Sequence, residues 1–136
     1  MQNYNTKLTF KNQELYLRVL LGEYRNEKQG IVFQLWKPNN FLIGEIFCRD
    51  DKLRERVWYL DTIWVELELR GEGYGSLLLE KTCEILAKID NLDILLERPS
   101  KDSKLDGFNL KKWYEKHAFE PHPNPDITFM WRKSNK

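Results

Sequence analysis

The chain has 136 residues, of which 41% are hydrophobic and 32% charged, and its 22 Lys+Arg against 21 Asp+Glu leave a net charge of +1. That length suits one domain, 1–136, with a core of its own rather than two, and the balanced charge excludes a whole-molecule field for nucleic acid or an anionic membrane. No apolar run approaches a membrane span and the opening Met1-Gln2-Asn3-Tyr4-Asn5 lacks a signal-peptide pattern, so a cytoplasmic protein is expected, with Cys48 and Cys83 as two buried, reduced thiols.

Lys7 to Phe10 alternates briefly and reads as a strand. Glu14 to Leu21 fits two patterns. Leu15, Leu17, Val19 and Leu21 alternate as in a strand, while Leu17, Leu21 and Tyr24 suit a helix face; the strand is preferred. Arg25 to Gly30 is polar connector. Ile31 to Trp36 and Phe41 to Arg49 are strands of a hairpin, because Lys37-Pro38-Asn39-Asn40 supplies turn residues between them. Asp50 to Arg56 is a charged loop. Val57 to Val65 (VWYLDTIWV) has the β-branched and aromatic content of a buried central strand. Asp61 in its middle is either satisfied by local donors or catalytic.

Farther on, Leu78, Thr82, Ile85 and Ile89 recur at helical spacing in a run from Leu77 to Ile89, with Asn91 as a stop. Ile94-Leu95-Leu96 is a short buried strand broken by Glu97-Arg98-Pro99. A helix between two strands makes them parallel neighbours. Asp102, Ser103 or Asp106 can cap a helix over Phe108 to Lys116, where Leu110, Trp113 and Tyr114 share a face. Pro121, Pro123 and Pro125 forbid a regular central strand around His122, and Ile127 to Arg132 forms the last strand. His117 and His122 have no Cys or carboxylate at ligand spacing, so no metal site is expected.

Gly71, Gly73 and Gly75 stand at alternate positions where the Val57–Val65 strand gives way to the helix. Such a turn points several backbone N–H groups outward at the positive end of a helix dipole and keeps side chains clear of an approaching anion. A bare turn needs only one or two glycines. Gly71, Gly73 and Ser76 also approximate a dinucleotide fingerprint, with Glu97 at the distance of a ribose-binding acid. That motif opens its domain, however, and too few elements follow Glu97 to complete one.

Arg70-Gly71-Glu72-Gly73-Tyr74-Gly75 resembles the R/Q-x-x-G-x-G/A signature of the GCN5-related N-acetyltransferases, and Trp113-Tyr114-Glu115-Lys116-His117-Ala118-Phe119 resembles that family's F-Y-x-x-x-G-F segment. The resemblance covers about 31–132. It implies an α/β (α+β) single-domain fold with a mixed central sheet, antiparallel N-terminal strands, parallel fourth and fifth strands splayed around the cofactor, and helices on both faces. Ala118 replaces the usual Gly, and the N-terminal region is β-like where the family usually has two helices.

The resemblance further implies acetyl-CoA as donor and a primary amine, free or on a peptide or protein, as acceptor. Backbone N–H groups of Gly71, Glu72, Gly73, Tyr74, Gly75 and Ser76 would hold the pyrophosphate, with Arg70 adding charge. Ile63, Trp64 and Val65 would pair with the pantetheine arm, the Val65 N–H polarising the thioester. Glu97 is the first candidate base, Asp61 the second, Glu66 and Glu68 the third, and Tyr114 the acid for the departing thiolate. A non-catalytic acyl-CoA-binding or regulatory module on the same fold remains open, as does a homodimer paired through the last strand.

Overall fold

The computed structural model describes residues 4–24, 28–49, 56–97, 104–105, 108–124 and 129–134. The helix caps expected at Asp102, Ser103 and Asp106 lie outside them. The chain opens with five strands, β1 (Tyr4–Phe10), β2 (Gln13–Tyr24), β3 (Lys28–Lys37), β4 (Phe41–Arg49) and β5 (Val57–Val65), each antiparallel to the one before. Helix α1 (Tyr74–Ile89) leads to β6 (Asp93–Glu97), parallel to β5. A two-stranded ribbon, β7 (Lys104–Leu105) with β8 (Phe108–Asn109), precedes α2 (Leu110–Lys116); β9 (Glu120–Pro121) and β10 (Phe129–Arg132) finish the sheet. Its order is β1-β2-β3-β4-β5-β6-β10-β9.

Alternation settles β2. Leu15, Leu17 and Val19 are buried while Tyr16, Arg18 and Leu20 are only half-buried, which is the period-2 signature of one face against a core. The core lies between that face and α1, which buries Tyr74, Leu78, Leu79, Thr82, Cys83 and Leu86. Each fully buried leucine there contributes about 2 kcal/mol. The β2–β3 connection is direct, Tyr24 pairing with Lys28, so no helical pair intervenes between these strands.

Both described helices bury side chains in one core cluster, Leu78, Leu79 and Leu86 from α1 and Tyr114 from α2. The sheet face opposite that core is covered by side-chain pairs: the Arg18 guanidinium sits 4.9 Å from the Trp36 ring and that of Arg49 4.1 Å from Tyr59. Strand β10 is not an edge either, since β6 flanks it on one side and β9 on the other. A homodimer through this last strand would have to displace β9. No described helix is long and apolar enough to cross a membrane.

Three side chains bind α2 to α1 and β10. His117 Nδ1 lies 2.5 Å from Glu80 Oε2, its Nε2 lies 3.0 Å from Ser76 Oγ, and Trp113 Nε1 donates to the same oxygen at 3.1 Å. Arg132 reaches both Glu80 oxygens, at 3.1 and 3.3 Å, and the His117 carbonyl at 3.3 Å. Burial pushes the Glu80 carboxyl up, but the hydrogen bonds from His117 and Arg132 and the guanidinium charge outweigh it and hold the group below its ordinary value of 4.5.

Helix α2 ends in a Schellman turn. Phe119 N–H donates to the Tyr114 carbonyl at 3.1 Å and Ala118 N–H to that of Glu115 at 3.2 Å, with the Phe119 and Tyr114 rings in contact. This geometry requires a left-handed residue at its corner, and Ala118 has φ 66°. An alanine there costs about 1 kcal/mol that glycine does not. Ala118→Gly is therefore expected to raise unfolding free energy by about 1 kcal/mol in urea titration. A carboxyl whose folded pKa is depressed stabilises above its unfolded value and loses that contribution as pH falls through the folded one. Below pH 4.5 the wild type should thus lose stability that Glu80→Gln, weaker at neutral pH, no longer has to lose; parallel melting curves of the two proteins from pH 7 to 3 check this.

Candidate functional site

The site begins with a strand that loses a neighbour. On one side β5 pairs with β4 from Arg49↔Tyr59 to Gly44↔Val65, with an irregularity at Phe47/Cys48. Because Cys48 faces Leu60 and Phe47 faces Thr62, Asp61 is the extra residue of a β-bulge. On the other side β6 accompanies β5 only from Val57↔Asp93 to Leu60↔Leu96. The two strands part at the next positions, which are Asp61 and Glu97. Asp61 is half-buried and Glu97 exposed.

Backbone groups along the free half of β5 alternate in direction. Glu66 N–H donates to the Ile43 carbonyl on β4 at 2.7 Å, so the N–H and C=O of Val65, and of Ile63 before it, face the gap. Trp64 faces β4 instead, opposite Glu45, which removes its backbone from the expected pairing set. The Val65 carbonyl accepts from Arg70 Nε at 2.9 Å.

A 3-10 turn, Leu67–Leu69, then folds the chain back toward α1. Gly71 and Gly73 have φ 84° and 94°, conformations that suit glycine. A Cβ on Gly71 would meet nothing within 4 Å, so the loop is open outward there. Gly73 is the N-cap of α1, whose first hydrogen bond runs from Leu77 N–H to the Gly73 carbonyl at 3.0 Å. The N–H groups of Tyr74, Gly75 and Ser76 therefore leave the helix end unused by the helix. At Gly75 a Cβ would stand 3.3 Å from both Val65 Cγ2 and Trp113 Cζ2. A side chain at this position would press on the strand end and on α2 where they meet the helix start.

Tyr114 lies on the buried side of α2, its ring between Trp113 at 5.4 Å and Phe119 at 6.1 Å. Burial pushes its hydroxyl up to about 12, so it stays protonated through the neutral range. Burial likewise pushes the Cys83 thiol up to about 12, which makes it a poor nucleophile. Glu66 caps the start of the 3-10 turn and is half-buried, while Glu68 lies in the middle of the turn and is exposed.

Sequence reasoning missed what covers the loop. The tip of the β1–β2 hairpin lies over it: Lys11 Nζ donates to the Glu72 carbonyl at 2.7 Å, and the Phe10 ring comes within 3.1 Å of a Cβ built on Gly73. Tyr74, expected only for its backbone, buries its ring against Phe10 and donates its hydroxyl to Gln13 Oε1 at 3.0 Å. A polar cleft of about 340 Å³ lies elsewhere, against α1, β6 and β10. It does not touch the glycine loop.

The fold has counterparts among solved structures. The PaiA N-acetyltransferase of Thermoplasma acidophilum, solved with coenzyme A, matches at 20% identity and TM-score 0.57 over 76% of this chain and 59% of its own. The chain thus spans under two thirds of that protein. A GNAT-family acetyltransferase of Staphylococcus aureus Mu50 matches at 18% identity and TM-score 0.59, over 76% and 67%. AtaT, solved with acetyl-methionyl-tRNAfMet, matches at 12% identity and TM-score 0.62, over 88% and 94%. No curated relative matches. The acetyltransferase (GNAT) family model matches residues 2–119, and with a splayed β5/β6 pair meeting a glycine-lined helix start, the chain belongs to the GNAT acetyltransferase family.

Proposed function

We propose that this protein transfers an acetyl group from acetyl-CoA to a primary amine by direct attack. The observation that carries this reading is the parting of β5 and β6 beside the outward N–H groups of Tyr74, Gly75 and Ser76. An anion cradle and an open strand edge in one place suit a ligand with a pyrophosphate at one end and an amide-bearing arm along its length. The N–H groups of residues 71–76 hold the pyrophosphate. The gap-facing groups of Ile63 and Val65 accept the arm as an added strand, and the Val65 N–H polarises the thioester carbonyl. Free, buried Cys48 and Cys83 suit a reducing compartment such as the cytoplasm.

The acceptor must lose a proton before it attacks. For a lysine-like ammonium, with a reference pKa near 10.4, this costs roughly 4–5 kcal/mol at neutral pH. Glu97 and Asp61, which follow the last β5–β6 rung, are placed to take that proton directly or through water. Glu97 is the first choice because its exposed carboxylate meets solvent at the mouth of the gap. Tyr114, protonated at neutral pH, returns a proton to the departing thiolate. The acceptor is a small-molecule, peptide or protein amine.

Calorimetry with acetyl-CoA, alongside a thiol-release assay on an amine panel, tests the whole reading. Binding without release from any amine favours a non-catalytic acyl-CoA module; no binding sinks both. Tyr114→Phe is expected to lower kcat on the order of tenfold or more while the Kd for coenzyme A stays within about twofold. Unchanged turnover would remove Tyr114 from the mechanism. To identify the base, kcat/KM is followed against pH in Glu97→Gln and Asp61→Asn. The variant that loses about a hundredfold and the acidic limb of the profile carries the base.

A further inference from the structure

We infer that Lys11, on the tip of the β1–β2 hairpin, clamps the donor's phosphates beside the start of α1, so that the N-terminal hairpin is part of the donor site. This deepens the acetyl-CoA reading and rests on it. The loop is poorly charged for its task. Between Val65 and Gly73 it carries three carboxylates, Glu66, Glu68 and Glu72, against one cation, Arg70. Arg70 also spends its Nε–H on the Val65 carbonyl. A helix end supplies only about half a positive charge. A multiply charged phosphate ligand needs a cation from elsewhere.

Lys11 brings one from 61 residues away. Its ammonium donates to the Glu72 carbonyl at 2.7 Å and stands 3.8 Å from a Cβ built on Gly73. An ammonium has three donors, and one is used on Glu72. The hairpin is fastened on both sides of Lys11, by the Phe10–Tyr74 ring contact and by the Tyr74–Gln13 hydrogen bond. The turn also holds Lys11 and Asn12 at φ 52° and 62°, a left-handed conformation that a lysine adopts only at a cost. The cation is thus held over the cradle and does not merely drift near it.

The test compares kcat/KM for acetyl-CoA with that for S-acetylpantetheine, which carries the thioester and arm without the nucleotide phosphates. Their ratio is expected to fall about tenfold in Lys11→Met and to stay within about twofold of wild type in Lys11→Arg. Calorimetric Kd values for coenzyme A and pantetheine give the same ratio without turnover. An unchanged ratio in Lys11→Met overturns the inference. Equal losses on both donors overturn it too, because Lys11 then serves only to fasten the hairpin. A wild-type chain that binds neither coenzyme A nor pantetheine removes the donor reading itself, and the inference with it.

Discussion

Among the described residues strand β5 parts from one of its partners halfway along, and the rest of the site follows from that. Its first half is interior, with Trp58 and Leu60 buried and β6 alongside. Its second half has β4 alone among the described strands. Strand β6 spans five residues up to exposed Glu97. The bulge at Asp61 adds local twist at the same point and turns β5 away. Backbone groups left in the gap, the N–H and C=O of Ile63 and the N–H of Val65, are costly if they stay dry and unpaired, whereas the Val65 carbonyl already accepts from Arg70. The gap has to hold water or a ligand with amides of its own.

What lies beside the gap is fixed by close packing more than by charge. Gly75 lets Val65, the first turn of α1 and the Trp113 ring converge, so the glycine loop is packed against strand and helix together. Ser76 and Glu80, one turn apart on α1, then tie α2 and β10 to the same helix through His117, Trp113 and Arg132. When the His117 proton sits on Nδ1, it bonds Glu80, Nε2 accepts from the Ser76 hydroxyl, and the Ser76 oxygen accepts from Trp113. Each polar group then has a partner, as a half-buried network requires. The Tyr114 ring is held by that same helix.

The parts legible in the sequence were those with a local signature. VWYLDTIWV marked β5 residue for residue, and the alternation of Leu15, Leu17 and Val19 placed β2. Three glycines at alternate positions marked the turn into α1, and the segment ending in Ala118-Phe119 marked the close of α2. The left-handed φ of Ala118 gives the physical meaning of that segment's usual glycine. What could not be read were pairings between distant residues. Lys11 meets Glu72 across 61 positions, and His117 meets Ser76 across 41. Neither Lys11 nor His117 stands out in its own neighbourhood, so nothing local distinguishes it from a solvated side chain.

The two faces of the fold are built unequally. The glycine loop is closed in by α1, α2 and the hairpin tip. The face of the sheet opposite the helices has no helix among the described residues, and β2 turns directly into β3 where the family usually inserts two. That face does not need a helix in order to tolerate water. Arg18 over Trp36 and Arg49 over Tyr59 cover aromatic rings with guanidinium groups that remain hydrated at their edges. Under the transferase reading, selection of the amine then falls on what borders the gap itself: Asp61 and Glu97 at its mouth and the half-buried end of β5. On that reading two carboxylates at an open mouth would attract a cationic amine and also take its proton, so one pair of side chains would do the work of both selection and activation.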